Sequence, residues 1–387
     1  MLLLLSAVGI YLSLDLPIWR SGERIVLGSS PELRLLFQKD LSEMKLKFPS
    51  SSMEIWLSGA SRPIQWKKQS GAFFVSREAS KFRFGGYKEP LDWVHLKPSN
   101  GKFVFGKFEY EGSLWLYPKS ENTFDVVLIL EMEKYIAKVI DREMSSHWPL
   151  ESLKAQAIAA RSFAYYHLEK NRDKAYHLLM GPQAQALTRA QPSNQALKAT
   201  EATFGMVLKQ SGHLFLAYYH STCGGQTKAG RQGVFEYKSV ECQYCRNSPH
   251  YHWSVKINQS DIENMFSSYM EKGASLVHAK TIVEASGHVS KVVFTPEKGK
   301  AIQIDALDLR RHLNRSMSQE VIKSLRFDLH FNQGQLKILG RGWGYHGLGM
   351  CQYGARGLAE HFWTCRSILE FYYPGTTIEV LQTPKSS

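Results

Sequence analysis

The chain has little cysteine, an odd 5 in 387 residues, which argues against a disulfide framework. Acidic residues are in deficit: Asp+Glu 35 against Lys+Arg 48 leaves a net charge of +13. That balance predicts an anionic partner, such as nucleic acid, an acidic membrane surface or an acidic cell-wall polymer. Past the N-terminus no apolar run approaches the roughly 20 residues of a membrane-spanning helix. No internal repeat is found, G-x-x-x-x-G-K-[ST] and H-E-x-x-H do not occur, and no basic-aromatic nucleic-acid module is recognisable. A composition 43% hydrophobic and 21% charged excludes a disordered chain.

Residues 1–22 open with the apolar run Met-Leu-Leu-Leu-Leu, interrupted by Asp15 and Pro17 and without a basic n-region. They read as a signal-like or anchor segment of an exported protein, in the periplasm or cell envelope, with membrane contact through this segment only. Residues 23–122 are short β-type runs split by turn clusters, with alternation clearest in Ser113-Leu-Trp-Leu-Tyr117, and predict a β-rich domain. From Val126 the pattern changes to a strand running into a short helix, and then, after Pro149, a long helix to about Lys170. Residues 123–376 alternate helices and strands, and 377–387 form a tail. The fold class expected is α+β: a β-rich N-terminal region followed by a mixed helix and antiparallel-strand catalytic core.

Three groups of residues could carry chemistry. Cys242-Gln-Tyr-Cys245 is a C-x-x-C; Cys223 and His220 precede it, and His250 and His252 follow. Three thiolates and one imidazole make a closed, structural zinc site, against a redox pair or a disulfide as other readings of C-x-x-C. Both His220 and His250 can supply the fourth ligand; His-x-x-Cys within one turn favours His220. Glu143 stands just before a helix start, upstream of Lys154 and Arg161, which share one azimuth at the edge of the apolar stripe. From the residues alone, Glu143 reads first as a helix-capping or ion-paired carboxylate, and as a general acid only if burial dominates its environment. The two cations read first as snorkelling side chains. Finally, Gly340-Arg-Gly-Trp-Gly-Tyr-His-Gly-Leu-Gly-Met350 sets Trp343, Tyr345 and His346 on a glycine-rich turn, structural or lining a carbohydrate cleft.

Taken together, Glu143-Met144 with Trp148 to Arg161, Tyr219-His-Ser-Thr-Cys-Gly-Gly-Gln-Thr227, Gly342-Trp-Gly344 and Gly349-Met-Cys-Gln-Tyr-Gly-Ala355 resemble, in this order, the stage II sporulation protein D and amidase-enhancer (SpoIID/LytB) family. The resemblance covers roughly residues 100 to 376. It implies a lytic transglycosylase that cuts the MurNAc-GlcNAc β-1,4 bonds of peptidoglycan strands and leaves 1,6-anhydroMurNAc, with Glu143 as catalytic acid and base. It also implies Lys154, Arg161, Gln156, Trp343, His346 and Gln352 as substrate-binding residues, and His220 and Cys223, with Cys242 and Cys245, around a structural zinc. The alternative it carries is a non-catalytic glycan-binding activator of a cell-wall amidase. Two departures stand out: an extra residue in Gly344-Tyr-His-Gly347, which displaces His346, and Asp141-Arg142 before Glu143, a like charge that raises the Glu143 pKa if close.

Overall fold

A computed structural model describes residues 30–50, 52–67, 72–180, 191–317, 321–332 and 334–381. The signal-like segment expected at 1–22 therefore lies outside the described residues. Among those described, no helix is long and apolar enough to cross a membrane.

The first half is built from two mainly antiparallel layers. In a seven-stranded sheet, Glu32–Leu41 and Ser113–Pro118 flank Phe124–Glu131, and the order continues through Val94–Pro98, Ser52–Leu57 and Ile64–Lys67. At the other edge the short strand Leu178–Leu179 pairs parallel with Glu32–Leu41. A six-stranded sheet centres on Glu43–Lys47 and Phe73–Glu78. The period-two alternation seen in the sequence buries one face of each strand, for instance Leu114 and Leu116 or Met44 and Leu46. Aromatic rings lock the layers edge to face: Phe37 meets Phe103 at 5.9 Å between centroids, and Trp66 meets Phe73 at 5.5 Å.

The boundary expected between residues 122 and 123 falls differently. Phe124–Glu131, the run Val-Val-Leu-Ile-Leu read as the start of the second domain, is a central strand of the first sheet, and one continuous core joins both regions. A strand apolar on both faces belongs inside a sheet covered on both sides.

That strand runs directly into helix α1 (Met132–Glu143), and a short turn leads to α2 (Leu150–Lys170), with Pro149 at the cap. The alanine-rich α2 is the hub of the second half: α1, α3 (Asn194–Ala202), the strand Met206–Gln210 and the two C-terminal helices all pack on it. Ala157, Ala160 and Ala164 are fully buried, and the small side chains permit these close approaches.

Residues 252–341 form an insertion with a hydrophobic core of its own, around Trp253, Ile262, Phe294, Leu309 and Ile338. It carries two three-stranded sheets and helices α4 (Gln259–Met265) and α5 (Ala306–Ser316). Its first and last strands pair antiparallel from His252↔Arg341 to Asn258↔Gln335, so the insertion leaves and rejoins the main body at one place. The chain then closes with α6 (Gln352–Glu360) and α7 (Cys365–Tyr372). The expected α+β class is what the molecule has.

Candidate functional site: an acidic, aromatic cleft beside a four-cysteine cluster

Glu143 is the last residue of α1, where the Met144 N–H donates to the Ile140 carbonyl and the chain turns outward. Its carboxylate enters a cleft of about 660 Å³ lined also by Trp148, Ser221, His250, Trp343, Gln352 and Tyr353. These residues come from distant parts of the chain, and the insertion explains how. Because its ends pair, His250 and Trp343 lie side by side with ring centroids 4.0 Å apart. Trp343 is further fixed by reciprocal backbone bonds to Thr222, at 2.8 and 2.9 Å. The Trp148 and Tyr353 rings of the lining meet at 4.8 Å, and Arg356 covers the indole of Trp148.

Gln352, the first residue of α6 and almost wholly buried, reaches Glu143 from behind. Its Nε2 donates to Glu143 Oε2 at 3.3 Å and to Gln156 Oε1 at 3.5 Å. Asp141 also lines the cleft, but its carboxylate accepts hydrogen bonds from the backbone N–H and the Oγ of Ser193, at the start of α3. Asp141 therefore serves as a tether between α1 and α3, and Glu143 is the other acidic residue among the described lining.

Behind this cleft, the Sγ atoms of Cys223, Cys242, Cys245 and Cys351 lie within 4.8 Å of one another, all buried. Tyr219-His220 pairs parallel with Met350-Cys351, which sets Cys351 beside the loop of Cys223. Cys351 caps α6: its sulfur accepts from Gly354 N at 3.3 Å and from Cys223 N at 3.2 Å. A tetrahedral zinc with Zn–S distances of about 2.3 Å holds its sulfurs about 3.8 Å apart, a spacing this cluster can meet. The electrostatics point the same way. Burial pushes the thiols of Cys223 and Cys351 up, whereas hydrogen bonding from Cys223 pulls Cys242 and Cys245 down. Buried thiols this close cannot all ionise without a cation, so the donor set fits a metal of the soft, tetrahedral kind.

The profile of the stage II sporulation protein (SpoIID) family matches residues 120–209, from the strand entering α1 to the strand that follows α3. An uncharacterized protein of Brachyspira hyodysenteriae is 32% identical over 304 residues, 76% of this chain and 77% of that protein. Stage II sporulation protein D of Bacillus subtilis is 26% identical over 336 residues, 82% of this chain and 89% of that protein. The amidase enhancer of Bacillus subtilis is 27% identical over 293 residues, 62% of this chain but 39% of that longer protein. This chain belongs to the SpoIID/LytB family.

Within this SpoIID/LytB protein, Glu143, Gln352 and Trp343 line one cleft, whereas Gln156, expected to bind substrate, is fully buried, lies off that lining and reaches it only through Gln352. The two cations do not join them. Lys154 Nζ is held by Glu151 at 2.7 Å on its own helix. Arg161 is fully buried and grips Glu133 at 2.6 and 2.8 Å, with further bonds to the carbonyls of Met206 and Thr200. It therefore has no surface to offer a substrate.

His220 is not a member of the four-sulfur group, and Cys351 takes the corner expected of it. The His220 ring, pushed down to about 4 mainly by burial, donates from Nδ1 to the Leu348 carbonyl at 3.0 Å. His250, the other histidine considered, faces the cleft instead. His346 lies off the cleft lining, its ring 4.7 Å from that of Tyr218, and its Nδ1 accepts from Leu348 N. Sequence reasoning missed Trp148, Ser221 and Tyr353 as cleft residues and Cys351 as a sulfur donor, although all four fall inside or beside the quoted motifs.

Proposed function

We propose that the protein is an envelope lytic transglycosylase acting on peptidoglycan glycan strands. The observation that carries this reading is that Glu143 enters an aromatic cleft in which the other acidic residue of the described lining, Asp141, accepts hydrogen bonds from Ser193. Hydrolysis by paired carboxylates needs a second acid across the sugar, whereas intramolecular transglycosylation needs one. Protonated Glu143 gives its proton to the glycosidic oxygen as the C1–O4 bond breaks. The resulting carboxylate then takes the proton of the C6 hydroxyl as O6 bonds to C1, so Glu143 ends protonated and no water is consumed. Trp148, Trp343 and Tyr353 offer ring faces for sugars. Gln352 fixes the carboxylate through Oε2.

We further propose that Cys223, Cys242, Cys245 and Cys351 hold a structural zinc. It would fasten the start of α6, and with it Gln352, to the Cys223 loop; four thiolates leave no open position for a reacting water.

Mass spectrometry of glycan strands, with and without stem peptides, tests the reading. Release of 1,6-anhydro-ended products by the wild type but not by Glu143→Gln supports it; reducing-end products or intact strands from folded protein overturn it. One observation favours a second reading, a glycan-binding activator of a cell-wall amidase. Lys154 and Arg161 are both engaged within the protein rather than at the cleft, and one relative bears the name amidase enhancer.

A further inference from the structure

The seven-stranded sheet has a second surface with features that core packing does not account for. Ile55, Leu96 and Leu114 point into the core, so Trp56, His95 and Trp115 point out, and register aligns them across three adjacent strands: Trp56↔His95 and His95↔Trp115. Trp93, two residues before His95 and on the same face, stacks on Trp115 with centroids 6.0 Å apart and planes 20° apart. Tyr117, two residues after Trp115, meets it at 5.6 Å. All five side chains are partly exposed. Helix α1 leans on the other end of the sheet, at Glu32–Leu41 and Phe124–Glu131. The ends of this strip, two strand spacings apart, are separated by about 10 Å, comparable with a β-1,4-linked disaccharide.

The charge at its margins narrows the ligand. Glu54 pairs in register with Lys97 and accepts from Trp56 Nε1 at 3.1 Å. Arg34 donates to His177 Nε2 at 2.9 Å and to the Arg172 carbonyl. His95 is pushed down to about 4, chiefly by burial and then by Lys97, and is neutral. A polyanion such as nucleic acid needs several uncommitted cations along its track, whereas this strip offers ring faces with balanced polar edges. Sugar rings, with an apolar C–H face and a hydroxyl rim, have the complementary chemistry.

We propose that this strip is a glycan-stacking platform, sharing no residue with the Glu143 cleft, that holds an uncharged β-1,4-linked N-acetylhexosamine chain by stacking its rings on Trp56, Trp93 and Trp115. It deepens the glycan-strand reading and rests on it for the identity of the sugar. The platform lets one protein hold a strand at one place and act on it at another.

Full-length protein is titrated with chitohexaose while tryptophan fluorescence is followed, and is co-sedimented with peptide-stripped glycan strands. Trp56→Ala and Trp93→Ala are compared with Phe74→Ala, an exposed ring on the other sheet, after thermal melts establish that each variant is folded. Roughly tenfold weaker binding for each tryptophan variant, with Phe74→Ala at wild-type affinity, is the expected result. Wild-type affinity in a folded double variant overturns the proposal. So does a wild-type dimer that these substitutions dissociate, since the strip would then be covered by a second copy. Loss of binding in the tryptophan variants, with strands left intact by the wild type, keeps the platform and removes the cleavage reading; cleavage with unchanged binding does the reverse.

Discussion

Arg161 and Glu133 form a two-point ion pair at the centre of the second half: Nε to Oε1 at 2.8 Å and Nη2 to Oε2 at 2.6 Å, with no part of the guanidinium exposed. The same guanidinium reaches the carbonyls of Met206 and Thr200, so one side chain joins α1, α2, α3 and the strand behind them. Glu133 lies in the first turn of the helix whose last residue is Glu143, so the ion pair anchors the start of the element that carries the cleft carboxylate.

Removing this arginine leaves Glu133 without its partner, a loss that costs about 3–5 kcal/mol in buried pairs. Arg161→Ala is therefore expected to lower the urea midpoint sharply. Arg161→Lys should recover little, since an ammonium cannot bond both carboxylate oxygens in a plane. Full stability in Arg161→Ala would show that the pair contributes nothing net.

The cysteine cluster predicts an unequal outcome for two substitutions in neighbouring strands. Cys351→Ser should reduce bound zinc, measured by elemental analysis, and lower Tm, whereas His220→Ala should keep the metal, because four sulfurs already complete the group and the His220 ring donates to the Leu348 carbonyl. Gly354→Ala should resemble Cys351→Ser: a methyl there would lie 2.7 Å from Cys242 Sγ and 1.9 Å from Tyr372 Oη. Retained zinc in Cys351→Ser together with its loss in His220→Ala would restore the ligand set expected from spacing.

How much of this was legible in the sequence depended on distance along the chain. Alternation in Ser113 to Tyr117 and the spacing of alanines in α2 are local signals, and both elements formed where expected. The turn between Met206–Gln210 and His213–Leu214 is equally local: Ser211 and Gly212 both adopt positive φ. Cys351 was not, although it stands in a quoted motif, because its neighbours in space precede the insertion and only the pairing of His252 with Arg341 shows that the gap closes. Arg161 failed differently. It does not snorkel at the edge of a stripe, because α2 is buried on every side from Ala155 to Ala164; the carboxylate that claims it belongs to another helix, and no periodicity within α2 reveals that partner.

Gln352 gives a kinetic prediction for the cleft. It touches the acid and not the reacting bond, so Gln352→Ala should leave KM nearly unchanged and lower kcat by up to about 10²-fold through loss of alignment. Glu143→Gln, by contrast, removes the acid, a change of about 10²–10⁴-fold. A Gln352→Ala enzyme with unchanged kcat, measured on soluble glycan fragments, would show that the 3.3 Å contact does not position Glu143.

Stability should also fall toward acid pH through a buried histidine in the insertion. His288 is 3% exposed, its Nδ1 lies 3.0 Å from Ser286 Oγ, and its pKa is pushed from 6.5 to about 3, first by burial and then by Arg326, with His220 and Lys228 adding to it. Above about pH 6.5 the ring is neutral in both folded and unfolded chains, and no penalty exists. As pH falls below that value the unfolded chain binds a proton that the folded one refuses, so stability declines until about pH 3, where both forms are charged. His288 Nε2 also lies 3.0 Å from the position of a methyl placed on Gly347, so the ring sits against the glycine-rich turn. His288→Gln cannot take up the proton, and its Tm should fall less steeply between about pH 7 and about pH 4.5, by a few degrees relative to the wild type. Parallel curves would assign the acid sensitivity to other histidines, such as the partly buried His167 and the buried His177, which burial pushes down to about 4.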